Sequence, residues 1–211
     1  NVPLPLTLRN ARAICELAGR PDLPVYAGCD APLEGRLVTA ENVHGATGLD
    51  GITLPEPTMP VQDRHGVDFI IDTLRAEPPG TVTLVPIGPL TNIAQAFRQA
   101  PDIVTRVQQI VLMGGAYFEV GNITPAAEFN IFVDPEAAAA EAAAAMILSA
   151  SFCVVEFSLS EVVTARIFIR SALLILLLRA LRLPWPSSLR PRNRPPSPGV
   201  VTRLPRPTAV R

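Results

Sequence analysis

The sequence predicts an α/β fold in which a mostly parallel sheet is flanked by helices, and three observations carry that prediction. Residues 81–87 and 103–113 are apolar, β-branched runs with the length and character of strands buried on both faces. Each is followed by a turn marked by Gly, Pro or Asn, and then by a segment of helical character. Strand, loop and helix in repetition is the rhythm of a doubly wound parallel sheet.

Taken in order, Leu6, Leu8, Ala11, Ala13, Ile14 and Leu17 approximate one face of a helix over 4–17, which Gly19-Arg20-Pro21 stops. Residues 23–28 read as a short strand. The polar, Gly- and Pro-rich loop to about residue 62 is long enough that it should be functional or well anchored. Three glycines fall within VHGATGLDG, 43–51. Val67, Ile70, Ile71 and Leu74 restore helical periodicity over 63–75, and Pro78-Pro79-Gly80 ends it. After the strand at 81–87, GPLTN leads into a helix to Gln99, with Pro89 suited to its first position. The strand at 103–113 follows. Asp134 caps an alanine-rich helix to about residue 145, and residues 153–159 begin a further strand.

The 211 residues suffice for one moderately large domain with a tail, and charge separates the two. Residues 1–150 carry eight arginines against seventeen acids, whereas residues 151–211 carry ten arginines against two acids. The net charge of −1 is therefore an average that identifies no partner. A division at 155/156 is expected, with an Arg-, Pro- and Leu-rich tail beyond it. The apolar run at 172–178 is far shorter than the twenty or so residues that span a bilayer. Residues 184–211, with eight prolines and six arginines, read as disordered. Such a tail attracts nucleic acid nonspecifically, but the same composition results from reading a GC-rich gene out of frame, so no specific nucleic-acid partner and no membrane are expected. Cys15, Cys29 and Cys153 are too widely spaced for a zinc site or disulfide framework and are expected as buried, reduced thiols. No charged segment followed by an apolar core opens the sequence, which points to a cytoplasmic setting.

Ligands of doubly wound sheets gather beyond the carboxyl ends of the strands. Polar or glycine-rich stretches after Tyr26, Ile87 and Met113 fall at such ends and are expected to form one site. The last of them, MGGAYFEVGNITPAAEFNIFVDPE at 113–136, offers Asn122, Glu128 and Asn130 without a lysine, arginine or histidine. If 128–130 is extended, Glu128 and Asn130 share one side and Phe129 takes the other. An anionic acceptor and an amide then converge, an arrangement suited to vicinal sugar hydroxyls, each of which gives and accepts a hydrogen bond. The alternative on spacing alone is that Asn122 makes a turn and Glu128 caps the backbone. The Ile87 carbonyl is a candidate oxygen for a hard cation such as calcium, although helix capping also explains GPLTN. His44 lies in a glycine-dense loop where a side chain either approaches a ligand or rests at the surface. His65 and Asp50 read as a helix-start and a turn residue.

TLVPIGPLTNIAQAF (81–97), VLMGGAYFEVGNITPAAEFNIFVDPEAA (111–138) and VHGATGLDG (43–51), in this order and spacing, resemble the inosine-uridine preferring nucleoside hydrolases over about residues 1–155. The resemblance implies a Rossmann-like sheet, calcium-dependent hydrolysis of ribonucleosides to ribose and free base, and a homo-oligomer, either dimer or tetramer. It assigns Asn122, Glu128 and Asn130 to ribose binding, Met113 to a sugar contact through its backbone, and Ile87 to calcium through its carbonyl. It further places Asn1 against the nucleoside and His44 beside the base. The family's DxDxGxDD motif on its first strand, source of the calcium carboxylates and general base, and its C-terminal His-Asp have no counterpart in this sequence. The resemblance then implies a chain that lacks a first strand, folds marginally and hydrolyses little. The alternative is a non-catalytic remnant that binds nucleoside or ribose.

Overall fold

The computed structural model describes residues 1–116, 120–147 and 151–155, with side chains omitted for 143, 145–147 and 151–155. The expected 155/156 boundary, the strand beyond Val155, the short apolar run and the disordered tail lie outside these residues, as does the Cys153 side chain.

Two parallel sheets form the frame. In the smaller, β1 (Val25–Tyr26) pairs with β2 (Val61–Gln62), Val25 opposite Val61. In the larger, the order is β3 (Val82–Leu84), β4 (Val107–Met113) and β5 (Ser151–Val155), with Leu84 opposite Ile110 and Met113 opposite Val155. Each parallel step is made through intervening helix, as parallel pairing requires. The α/β architecture read from the sequence is the one observed.

The first helix, α1 (Leu4–Leu17), has the predicted limits. Its end follows from Gly19, whose φ of 70° is left-handed and lets the Gly19 and Arg20 amides return to the Glu16 and Cys15 carbonyls. Polar side chains of α1 anchor the long loop. Arg12 donates to the Met59 carbonyl at 3.1 Å, and Glu16 Oε1 accepts from the Thr58 and Met59 amides, each at 2.7 Å. The Met59 amide first, and then the Thr58 hydroxyl, which donates to the same oxygen at 2.9 Å, hold the Glu16 carboxyl below its usual range. The loop also contains a single helical turn, α2 (Glu41–His44), and β2, neither of which its sequence suggests.

Helix α3 (Gly66–Ala76) starts three residues later than expected, because His65 is its N-cap and accepts from the Val67 amide through Nδ1 at 3.2 Å. Helix α4 (Thr91–Gln99) has Leu90 as its N-cap, so Pro89 precedes the helix instead of opening it. Residues 101–106 correct the expected strand: they form a 3-10 helix, Pro101–Arg106, and β4 begins only at Val107. Proline cannot donate to a strand ladder, and apolar residues such as Ile103 and Val104 are buried in either conformation, so hydrophobicity alone misassigns them. Helix α6 (Pro135–Ile147) opens as expected, the Ala137 amide donating to Asp134 Oδ1 at 3.0 Å.

Val67, Ile71 and Leu74 of α3, Ile93, Ala96 and Phe97 of α4, and Val107 and Ile110 of β4 make the main core. Ala94 and Ala96 are fully buried, and their small side chains let α4 pack closely against its neighbours. Leu90, Ala94, Leu112 and Ala137 form a second cluster. Cys15 and Cys29 are free thiols, partly rather than fully buried. No helix among the described residues is long and apolar enough to cross a membrane.

Glu141 on α6 is fully buried, and neither carboxyl oxygen meets a hydrogen-bond partner among the described residues. Burial pushes its pKa from an ordinary 4.5 up to about 8. The folded protein thus holds this proton more tightly than the unfolded chain, so the contribution of Glu141 to stability is fully present in acid and is lost as pH rises through the interval to about 8. Glu141→Gln is expected to melt with the parent at about pH 4 and to exceed it by a few kcal/mol at about pH 9, given about 1.4 kcal/mol per unit of pKa difference. Thermal denaturation of both proteins at the two pH values checks this, and an equal difference at both would show the carboxyl to be hydrated or paired.

Candidate functional site

The segment after β4 is shaped by a turn and a cap. Gly121 donates to the Pro125 carbonyl, and Thr124 and Ala127 form an antiparallel bridge. A Cβ on Gly121 would lie 2.1 Å from the Ala127 carbonyl oxygen, so only glycine permits this closure. Of the two readings that the spacing left open, the structure takes the cap and not the extended segment: Glu128 is the N-cap of a helical turn, α5 (Phe129–Phe132), and its Oε2 accepts from the Asn130 amide at 2.8 Å. A side chain able to satisfy the first free amides outcompetes strand alternation here.

Capping nevertheless gathers the predicted sugar-binding residues. Asn122 Oδ1 accepts from the Phe129 amide at 2.7 Å, and its Nδ2 donates to Glu128 Oε1 at 3.3 Å. Asn130 Nδ2 donates to the Met113 carbonyl at 3.0 Å. Asn122, Glu128, Asn130 and Met113 are thereby one hydrogen-bonded cluster at the carboxyl end of β4. Glu128 and Asn130 are buried, whereas Asn122 is exposed at the rim. Burial raises the Glu128 pKa, against the lowering effect of the Asn130 amide and the Asn122 side chain.

Beside this cluster is a cleft of about 520 Å³, lined by β1, the end of β3, α1 and the turns that follow the two strands. Asn1 and Ile87 lie in its wall, together with Tyr26, Cys29, Phe129 and Asp134. The loop after Tyr26 and the turn after Ile87 therefore meet, as expected. The turn after Met113 reaches the same region less directly, through the bond from the Met113 amide to the Pro86 carbonyl and through Phe129, which follows Glu128 and faces the cleft. His44 is not part of the wall. It is half-buried at the end of α2, and burial lowers its pKa. Asp50 closes the glycine loop, its amide donating to the His44 carbonyl at 3.2 Å.

Asp134 has a larger part than its sequence position suggests. It is fully buried in the cleft wall, Oδ2 accepting from the Leu33 amide at 3.0 Å and from the Thr91 hydroxyl at 2.5 Å, while Oδ1 caps α6. Its place before Pro135 signals the cap, but no sequence pattern signals Leu33 or Thr91.

These residues do not suit calcium, which takes six to eight oxygens, several of them usually carboxylate. The Ile87 carbonyl accepts no hydrogen bond from the described residues and supplies one neutral oxygen. Both Asp134 oxygens are committed elsewhere, and no cluster of three or more metal-ligating side chains is found among the described residues.

The model of the inosine-uridine preferring nucleoside hydrolases matches residues 1–171. An uncharacterized protein of Schizosaccharomyces pombe is 59% identical over 138 residues, covering 65% of this chain and 44% of that protein. The inosine-uridine preferring nucleoside hydrolase of Crithidia fasciculata is 48% identical over 139 residues, again covering 65% of this chain and 44% of the relative. Among solved structures, the purine-preferring ribonucleoside hydrolase of Gardnerella vaginalis superposes with a TM-score of 0.67 at 33% identity, over 74% of this chain and 49% of that one. The match thus spans less than half the length of these relatives. With the family model covering most of the sequence, and with the parallel sheets and the polar cluster at the strand ends in place, the chain belongs to the inosine-uridine preferring nucleoside hydrolase family.

Proposed function

We propose that this chain carries the ribose-recognising part of a ribonucleoside N-ribohydrolase. The observation that supports this reading above all is the linked cluster of Asn122, Glu128, Asn130 and Met113. Two of the four or so lone-pair sites on the Glu128 carboxylate are used internally, which leaves acceptors for sugar hydroxyls. Asn122 retains a second amide hydrogen and Asn130 a free side-chain oxygen among the described residues. Donor and acceptor capacity side by side is what a vicinal diol requires. Asn1 and His44 are read as contacts to the nucleoside and its base, and Ile87 as an oxygen facing the metal that the family resemblance implies.

The reaction proposed for the complete protein is substitution at the anomeric carbon. Water supplies the oxygen that bonds to that carbon, the electrons of the C–N bond leave with the base, and one water proton ends on the base. The cluster holds the sugar and favours the ring geometry of an oxocarbenium-like state, contributing orientation instead of a nucleophile. Among the described residues, no three or more carboxylate, histidine or cysteine side chains gather to hold a cation that would activate water. The second reading, ribose or nucleoside binding without turnover, is favoured by that observation for the chain taken alone.

The test is ribose release from inosine and uridine by the purified chain, with millimolar calcium and with chelator. Inosine binding without calcium-dependent release is expected, and release suppressed by chelator would overturn the non-catalytic reading of this chain. A second expectation concerns pH. If the Glu128 carboxylate accepts from ribose, binding is present above its raised pKa and lost as pH falls through it. Asn122→Ala removes a donor that stabilises the anion and should move this acid limb upward. Inosine affinity measured across pH for both proteins decides, and an unmoved limb would detach Asn122 from Glu128.

A further inference from the structure

The loop that follows β1 is held at two points by the helices behind it. The Cys29 amide donates to Asn92 Oδ1 at 2.8 Å, and the Leu33 amide donates to Asp134 Oδ2 at 3.0 Å. Both acceptors lie at helix starts: Asn92 in the first turn of α4, Asp134 immediately before α6. Thr91, beside Asn92, donates its hydroxyl to the same Asp134 oxygen at 2.5 Å. One fully buried carboxylate therefore joins the β1 loop, the start of α4 and the start of α6. Gly28 adds a steric element, since a Cβ there would come within 2.4 Å of the Asn92 side chain. Between the two bonds stand Asp30, Ala31 and Pro32, and all three line the cleft.

From this geometry we infer that Asp134 is a positioning residue for ligand binding: it fixes loop 29–33 as a rigid wall of the cleft without touching the ligand itself. The inference rests on the ribonucleoside reading only for the identity of that ligand. A merely structural buried carboxylate would serve α6 through Oδ1 and leave the loop independent. Here the other oxygen is spent on the loop, 101 residues away in sequence. Asparagine at this position is nearly isosteric but replaces one acceptor by a donor. Whichever way its amide turns, a donor then confronts either the Ala137 amide or the pair formed by the Leu33 amide and the Thr91 hydroxyl.

The experiment compares the full chain with Asp134→Asn and Thr91→Val, reading amide hydrogen exchange in loop 29–33 and in β4, together with inosine affinity. In Asp134→Asn, exchange in the loop is expected to rise roughly tenfold or more while β4 exchange stays unchanged, and inosine binding is expected to weaken by a similar factor. Thr91→Val, which removes only one bond to the same oxygen, should act in the same direction to a smaller extent and serves if the asparagine variant does not fold. Exchange that rises equally in loop and β4 would overturn the inference, as would a loosened loop with unaltered inosine affinity. Failure of the unsubstituted chain to bind inosine would instead overturn the ribonucleoside reading, and the clamp would then be judged on the contrast between loop and β4 exchange.

Discussion

The main-chain groups of Met113 point toward two different parts of the site. Its amide donates to the Pro86 carbonyl in the turn after β3, and its carbonyl accepts from the Asn130 side chain at the start of α5. Met113 is the last residue of β4, a strand paired on both sides and buried at Val107, Ile110 and Leu112. A central strand of a parallel sheet cannot shift by one residue without turning its apolar side chains away from the core. The register of β4 therefore fixes the height of Met113, which in turn fixes the turn bearing Ile87 and the capped segment bearing Glu128. The site depends on this strand end more than on any one polar contact.

Three carboxylates buried around this frame meet the cost of desolvation differently. Asp134 has partners for both oxygens, drawn from three separate segments. Glu128 has a main-chain amide and one asparagine, and its pKa still rises because burial outweighs them. Glu141 has no partner among the described residues and shows the largest effect. The hydrogen bonds each receives separate their roles: a saturated carboxylate organises chain, a partly satisfied one retains capacity for a ligand, and an unsatisfied one makes stability depend on pH.

The long loop between β1 and α3 illustrates the same economy of polar groups at the surface. Arg9, Arg12 and Glu16 repeat along one side of α1 and engage the segment at 54–59 through backbone groups as well as Glu56. Isolated surface ion pairs contribute little, but bonds to main-chain amides and carbonyls also restrict the chain they touch. A loop pinned in this way brings Val61 and Gln62 beside β1 and so completes the smaller sheet.

Local pattern alone determined a good deal. The limits of α1, the Asp134 cap, the parallel α/β class and the family all follow from features confined to a few turns: a 3.6-residue period, a glycine free to take positive φ, a cap residue before proline, and motifs read as continuous strings. What tertiary structure decided are the matters that depend on partners remote in sequence or on competition between two locally acceptable states. Residues 101–106 are apolar enough for a strand but wind into a 3-10 helix after Pro101. Between the two readings open for Glu128, the cap prevails over strand alternation, because free helical amides sat within reach of the carboxylate. Asn1 and Ile87 face the cleft while His44 does not, and Asp134 reaches Leu33 across 101 residues. No periodicity encodes such contacts, since each exists only once the sheet has brought its loops to one end.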